Sequence, residues 1–219
     1  MLSRGRQKWR FEERPALELL ANIQHFGGPT RLMDVTFTPL VALWFAVSQR
    51  FTQKGQIRPA VDGRLIAFEV SDRQLDLSSP WGDRELPWRR ELSAVSLTTG
   101  PIVWRPPSYN ERIAAQNAAF VVGAVPGSES LQKFLSVLPP EERTNWSPED
   151  LRDVTSMALA PQRLTPSMEV ARGSTFSIRI ASRAKAQILE HLEGDYGYST
   201  STMYPDLQGL AAFAADGLT

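Results

Sequence analysis

The sequence of 219 residues has no cysteine. Disulfides, thiolate metal sites and thiol nucleophiles are excluded together, and a reducing cytoplasm is the compartment that fits. Histidine is scarce, with only His25 and His191, so a site built from several imidazoles is excluded as well. Neither charge is in excess, because lysine plus arginine and aspartate plus glutamate both come to 24. Global attraction to a polyanion or to an anionic membrane is therefore not expected, and any nucleic-acid contact must be local. Long apolar runs are missing too. The longest, Pro39 to Val47, is roughly half of the ~20 residues that cross a bilayer, so it reads as a core helix, and no membrane contact is expected. Residues 1–8 are basic but lead into no apolar segment, so a secretory signal is not expected and a cytoplasmic location is.

What is present points to a folded core. Hydrophobic residues make up 42%, with six Trp and ten Phe, which lies in the globular range. The length favours one domain spanning 1–219. Pro15 suits a first helical position, and Leu17, Leu20, Ala21 and Ile23 follow with helical spacing until Gly27-Gly28-Pro29 forces a stop. The spacing predicts a helix over 15–26, an extended segment over 30–36, and a second helix capped by Thr38 with Pro39 in its first turn. That second helix is apolar on nearly every face, which predicts burial. Residues 64–70 have strand composition, and 71–107 read as an irregular excursion pinned by Trp81, Trp88 and Trp104. A short helix is expected over 109–116, a strand over 120–125, and helices over 130–138 and 148–160 inside a helical insertion at 126–173. The alternating stretch 175–180 predicts a half-buried strand, followed by an amphipathic helix over 183–192 and a last helix over 205–215. No internal repeat or low-complexity tract occurs.

Gln24-His25-Phe26-Gly27-Gly28-Pro29-Thr30-Arg31-Leu32-Met33-Asp34-Val35-Thr36, followed by Pro39 to Ala46, resembles the core motif of the FRG-domain family. Weaker matches follow in order at 112–120, at 188–192 and at 203–210, so the resemblance runs from Leu17 to Phe213. The Phe-Arg-Gly motif that names the family normally lies on a strand several tens of residues before the Gln-His pair. Here Ser3-Arg4-Gly5 is the one Arg-Gly dipeptide upstream of it. Either that dipeptide stands in, or the chain is a shortened form without the first strand.

The resemblance implies an α+β fold with a small split or mixed β-sheet flanked by helices, similar to ADP-ribosyltransferases. Under that analogy the cofactor is NAD and the activity an NAD-dependent ADP-ribosyl transfer. Gln24, Arg31, Asp34 and Thr36 would contact the dinucleotide, Trp44 and Phe45 would line the nicotinamide pocket, and His25, Glu111 and Gln116 would act on ribose or acceptor. A bacterial toxin or phage-defence role goes with the family. The alternative is a non-catalytic module that binds a ligand or a protein partner.

The residues themselves leave these readings open. Arg31 can clamp an anion through its bidentate guanidinium, or hold loop carbonyls at a helix end. His25 can hydrogen-bond a ribose or move a proton, or it can interact with the C-terminal dipole of the first helix. Glu69, Glu111 and Gln116 sit where strand or helix ends present them to a shared cleft, or they are solvated surface groups. Residues 81–90 interleave bases with aromatics as single-strand binders do, yet Asp83 and Glu85 nearly cancel the charge, so a packed loop is favoured over nucleic acid. No serine stands in a nucleophile context.

Overall fold

The structure, a computed structural model, describes residues 15–48, 61–70, 74–75, 102–108, 110–122, 161–162 and 174–217. The helices expected over 130–138 and 148–160, the 81–90 cluster and nearly all of the 126–173 stretch lie outside these residues. The described elements are helix α1 (Ala16–His25), strand β1 (Leu32–Thr36), α2 (Pro39–Val47), β2 (Gly63–Phe68), β3 (Gln74–Leu75), β4 (Ile102–Trp104), α3 (Glu111–Ala115), β5 (Ala118–Val122), β6 (Pro161–Gln162), β7 (Thr175–Ile180), α4 (Lys185–Tyr196), α5 (Thr200–Met203) and α6 (Leu207–Gly217). The architecture is α+β with two small mixed sheets. One sheet has the order β1-β5-β4-β3 and the other β2-β7-β6. Each combines an antiparallel pair (β4 with β5, β2 with β7) with a parallel one (β3 with β4, β6 with β7). No described helix is long and apolar enough to cross a membrane.

The chain forms two compact units, one of residues 1–34, 70–106 and 120–159, the other of 35–69, 107–119 and 160–219. In the first, α1 buries Ala16, Leu17, Leu19 and Ala21. Pro15 precedes the helix rather than opening it, and its carbonyl accepts the first helical bond from Leu19 N at 2.9 Å. The helix ends as Gly27-Gly28 predicts. Gly28 N donates to Ile23 O at 2.8 Å and Gly27 N to Gln24 O at 2.9 Å, the paired bonds of a Schellman stop. Gly27 takes φ +82, which glycine adopts without steric cost, and a Cβ on Gly28 would meet Ile23 Cγ2 at 2.5 Å. Strands β4 and β5 are buried on both faces, and Trp104 stacks on its cross-strand partner Phe120 with centroids 5.8 Å apart.

The second unit is organised around α2. Val41, Trp44 and Val47 form a core with Ile180, Leu192 and Met203, and Leu40, Phe45, Leu65 and Tyr204 pack around it. Fully burying such side chains contributes about 1.5–3 kcal/mol each. Those three residues of α2 are buried and Leu40, Ala42, Leu43, Phe45 and Ala46 are half-buried, so the helix is sealed on one face and partly covered on the others. It packs on β2 so closely that a Cβ on Gly63 would overlap Ala46 O. The β7 alternation is also incomplete. Phe176 and Ile180 are buried, but Ile178 is 46% exposed, because α2 and α4 cover only part of that sheet face. The period-two rule assumes a cover along the whole strand.

Past β7 a 3-10 turn, Ser182–Ala184, leads into α4, which runs to Tyr196 rather than stopping at Leu192. Gly197 ends it at φ +70, with Tyr198 N donating to Leu192 O at 2.9 Å. Helix α5 has no counterpart in the sequence reading. Its signal is a capping box: Thr202 N donates to Ser199 Oγ at 3.3 Å and Ser199 N to Thr202 Oγ1 at 2.7 Å.

Candidate functional site

The first unit holds Gln24, His25, Arg31 and Asp34. Gln24 ends α1 with both halves of its amide engaged, Nε2 donating to Asp34 Oδ1 at 2.8 Å and Oε1 accepting from Thr30 Oγ1. Thr30 Oγ1 in turn accepts Leu32 N at 3.1 Å. The expected dinucleotide contacts Gln24 and Asp34 are thus brought together. Arg31 lies in the bend between the two braced residues Thr30 and Leu32, and it is exposed. His25 is half-buried and meets the Phe26 ring edge-on, with centroids 5.0 Å apart.

The second unit holds Thr36, Trp44, Phe45, Glu111 and Gln116. Asn110 caps α3 by accepting Ile113 N on Oδ1 at 2.8 Å, and the helix stops after one turn because Asn117 adopts φ +44. Asparagine tolerates that left-handed region better than most residues. The turn grips the segment that follows β1. Thr36 Oγ1 donates to Gln116 O at 2.7 Å, Phe37 N to Asn117 O at 3.3 Å, and Asn117 Nδ2 to Thr38 Oγ1 at 3.0 Å. Thr38 therefore occupies the N-cap position of α2 without capping it through its side chain. Its hydroxyl is committed to Asn117, and its own N–H donates to Thr36 Oγ1 at 3.0 Å.

Gln116 Nε2 donates to Met203 O at 2.8 Å, fixing α3 to the end of α5. One turn earlier Arg112 Nη2 meets Asp206 Oδ1 at 2.8 Å, and its guanidinium carbon lies 4.8 Å from the Tyr204 ring centroid. Asp206 also caps α6 by accepting Gly209 N at 2.8 Å. Trp44, Phe45 and Tyr204 meet edge-on, Trp44 and Phe45 at 5.1 Å and Tyr204 at 6.2 Å from each. Trp44 is 4% exposed, and its Nε1 has no hydrogen-bond partner among the described residues. Glu111 is exposed in the first turn of α3. Arg112, Asn117, Tyr204 and Asp206 received no role from the sequence, although Tyr204-Pro205-Asp206 ahead of an apolar run is a helix-start signature. No group of three or more potential metal ligands occurs among the described residues.

The FRG domain family model matches residues 2–55. That segment is about a quarter of the chain. The matched segment contains Gln24, His25, Arg31, Asp34, Thr36, Trp44 and Phe45, and it also takes in Ser3-Arg4-Gly5, outside the described residues. Neither the curated proteins nor the solved structures give a match to the chain. Within the FRG segment, the polar residues on either side of Arg31 are spent on bracing β1 against the end of α1, and the aromatic residues of α2 belong to the core of the second unit.

Proposed function

We propose that this FRG domain binds an NAD-like dinucleotide through Arg31, as an ADP-ribosyltransferase-like module. The observation that carries the reading is the position of Arg31. It is an exposed arginine on backbone pinned at both neighbours, Thr30 and Leu32, inside the matched FRG segment. A guanidinium held on a fixed backbone loses less freedom on binding and can meet a pyrophosphate in bidentate fashion. The setting of a bacterial toxin or phage-defence system comes with the FRG resemblance alone. Isothermal titration with NAD and with ADP-ribose tests the reading. Arg31→Ala weakens binding by roughly 1.5–3 kcal/mol, the scale of a charge-assisted hydrogen bond, and leaves the fold intact. The absence of both heat and a thermal shift at millimolar ligand overturns it.

A second reading, binding without turnover, is favoured by Gln116. Its amide N–H is already donated to Met203 O, so the residue expected to orient an acceptor supports the packing of α3 on α5. Release of nicotinamide from NAD by the purified chain would overturn this second reading and leave the first in place.

A further inference from the structure

The second unit carries a patch of one charge that none of the roles above uses. Asp62, just before β2, accepts Ser182 N on Oδ1 at 2.8 Å and both Nε and Nη2 of Arg179 on Oδ2 at 2.5 Å. The Ser182 amide first and Arg179 second hold its carboxyl below the ordinary value of 3.8. Arg179 and Arg183 line one groove with this carboxylate, and Arg64 follows it by two residues. Arg64 and Arg179 are direct cross-strand partners between β2 and β7, an arrangement that like charges make unfavourable. Arg179 is 73% exposed, and Arg64 and Arg183 are exposed as well. Arg64 donates only to Ser177 Oγ, at 3.3 Å, and neither it, Arg183 nor Lys185 forms an ion pair among the described residues. In a chain whose charges balance overall, Arg64, Arg179 and Arg183 against one carboxylate are a local excess among the described residues. Beside it lies a groove of about 490 Å³ lined by Asp62, Arg179, Ala181, Ser182 and Arg183.

We propose that this groove is a second anion site, which takes the phosphate group of a small phosphorylated molecule between Arg179 and Arg183. Asp62 engages only Nε and Nη2 of Arg179, and a guanidinium has further donors to offer. Arg183, Ala181 and Ser182 complete the lining. The groove volume lies in the range of small-molecule sites, and a chain of zero net charge has no general attraction for a nucleic-acid backbone. Asp62 then has two effects. It positions Arg179, and it competes with the incoming anion for it. The site is independent of Arg31 and of the dinucleotide reading.

The test is titration of the full chain with inorganic phosphate and with a hexose monophosphate, followed by NMR at the Ser182, Arg183 and Ala184 amides. Saturable shifts are expected at these amides. Arg183→Ala weakens binding about tenfold or more, the loss of one charge-assisted contact. Asp62→Asn keeps an acceptor for Ser182 N but removes the competing charge, so it tightens binding several-fold, with the fold verified by circular dichroism. A purely structural ion pair predicts no such gain. The proposal is overturned by absence of saturable shifts at millimolar phosphate, by equal affinity in all three proteins, or by weaker binding in a folded Asp62→Asn variant. Displacement of the sugar phosphate by a short single-stranded oligonucleotide, with steep salt dependence, also overturns it, because the ligand class is then a nucleic acid.

Discussion

Each unit contains a helix end whose side-chain amides hold a neighbouring extended segment, and the two do so in different surroundings. At the end of α1, Gln24 ties Thr30 and Asp34 together near the surface. At the end of α3, Gln116 and Asn117 grip Thr36 to Thr38 in a half-buried setting, next to a guanidinium lying over Tyr204. Water can replace the exposed Gln24–Asp34 bond of the first turn, whereas the bonds of the second are all part-buried and connect three helices. The first turn is therefore a looser brace, and the half-buried turn acts as a rivet.

Variants that separate the two turns should follow this difference in burial. The largest effect is expected in the core that the rivet supports. Trp44→Ala removes the buried indole of α2 and costs about 3–5 kcal/mol in denaturant melts; a loss below roughly 1 kcal/mol would place this helix at the periphery. Next come Arg112→Ala, Asp206→Ala and their double variant. A thermodynamic cycle should give a coupling of about 1–3 kcal/mol, because the two side chains share one ion pair with each less than a fifth exposed. Additive effects would show that the pair contributes packing and capping only. In the outer turn, Gln24→Ala costs no more than about 1 kcal/mol, since water takes over its partners. Its larger consequence is a looser Arg31, read as weaker ADP-ribose binding at nearly constant melting temperature. A cost as large as that of the Arg112–Asp206 pair would erase the contrast between the turns.

The smallest effect concerns Asp62, which is solvent-accessible and whose folded carboxyl titrates below its ordinary value of 3.8. A depressed acid stabilises the fold above that ordinary value and loses the contribution as pH falls through the lower, folded one. The acid limb of stability in Asp62→Asn should therefore be shallower than in the parent, measured by urea melts from about pH 5 to about pH 2. Identical acid limbs would mean that the Arg179 and Ser182 contacts are formed as readily in the unfolded chain.

Local signals were readable where the chain itself supplies the physical cause. Gly27-Gly28 stops α1 because one glycine takes a positive φ and the other leaves no room for a Cβ. Pro39 opens α2, and the composition of Gly63–Phe68 and Thr175–Ile180 gives two strands that pair over their whole length. The FRG motif was legible for the same reason, as one uninterrupted run of residues. Roles that depend on partners far along the chain were not legible. Thr38 has the sequence of a cap, but its hydroxyl goes to Asn117, and Ile178 has the spacing of a core residue but is 46% exposed.

Sequence alone thus determined the absence of thiol chemistry, the main helices and strands around the motif, and the FRG assignment, since each rests on composition or on neighbours within a few residues. Tertiary structure decided that Gln24 and Gln116 are braces, that Trp44 is core, and that Arg112 finds Asp206, 94 residues along the chain. It also decided that Arg179 and Arg183 line one groove with Asp62. Such roles depend on burial and on which distant partner arrives, and both exist only once the sheets and helices have packed.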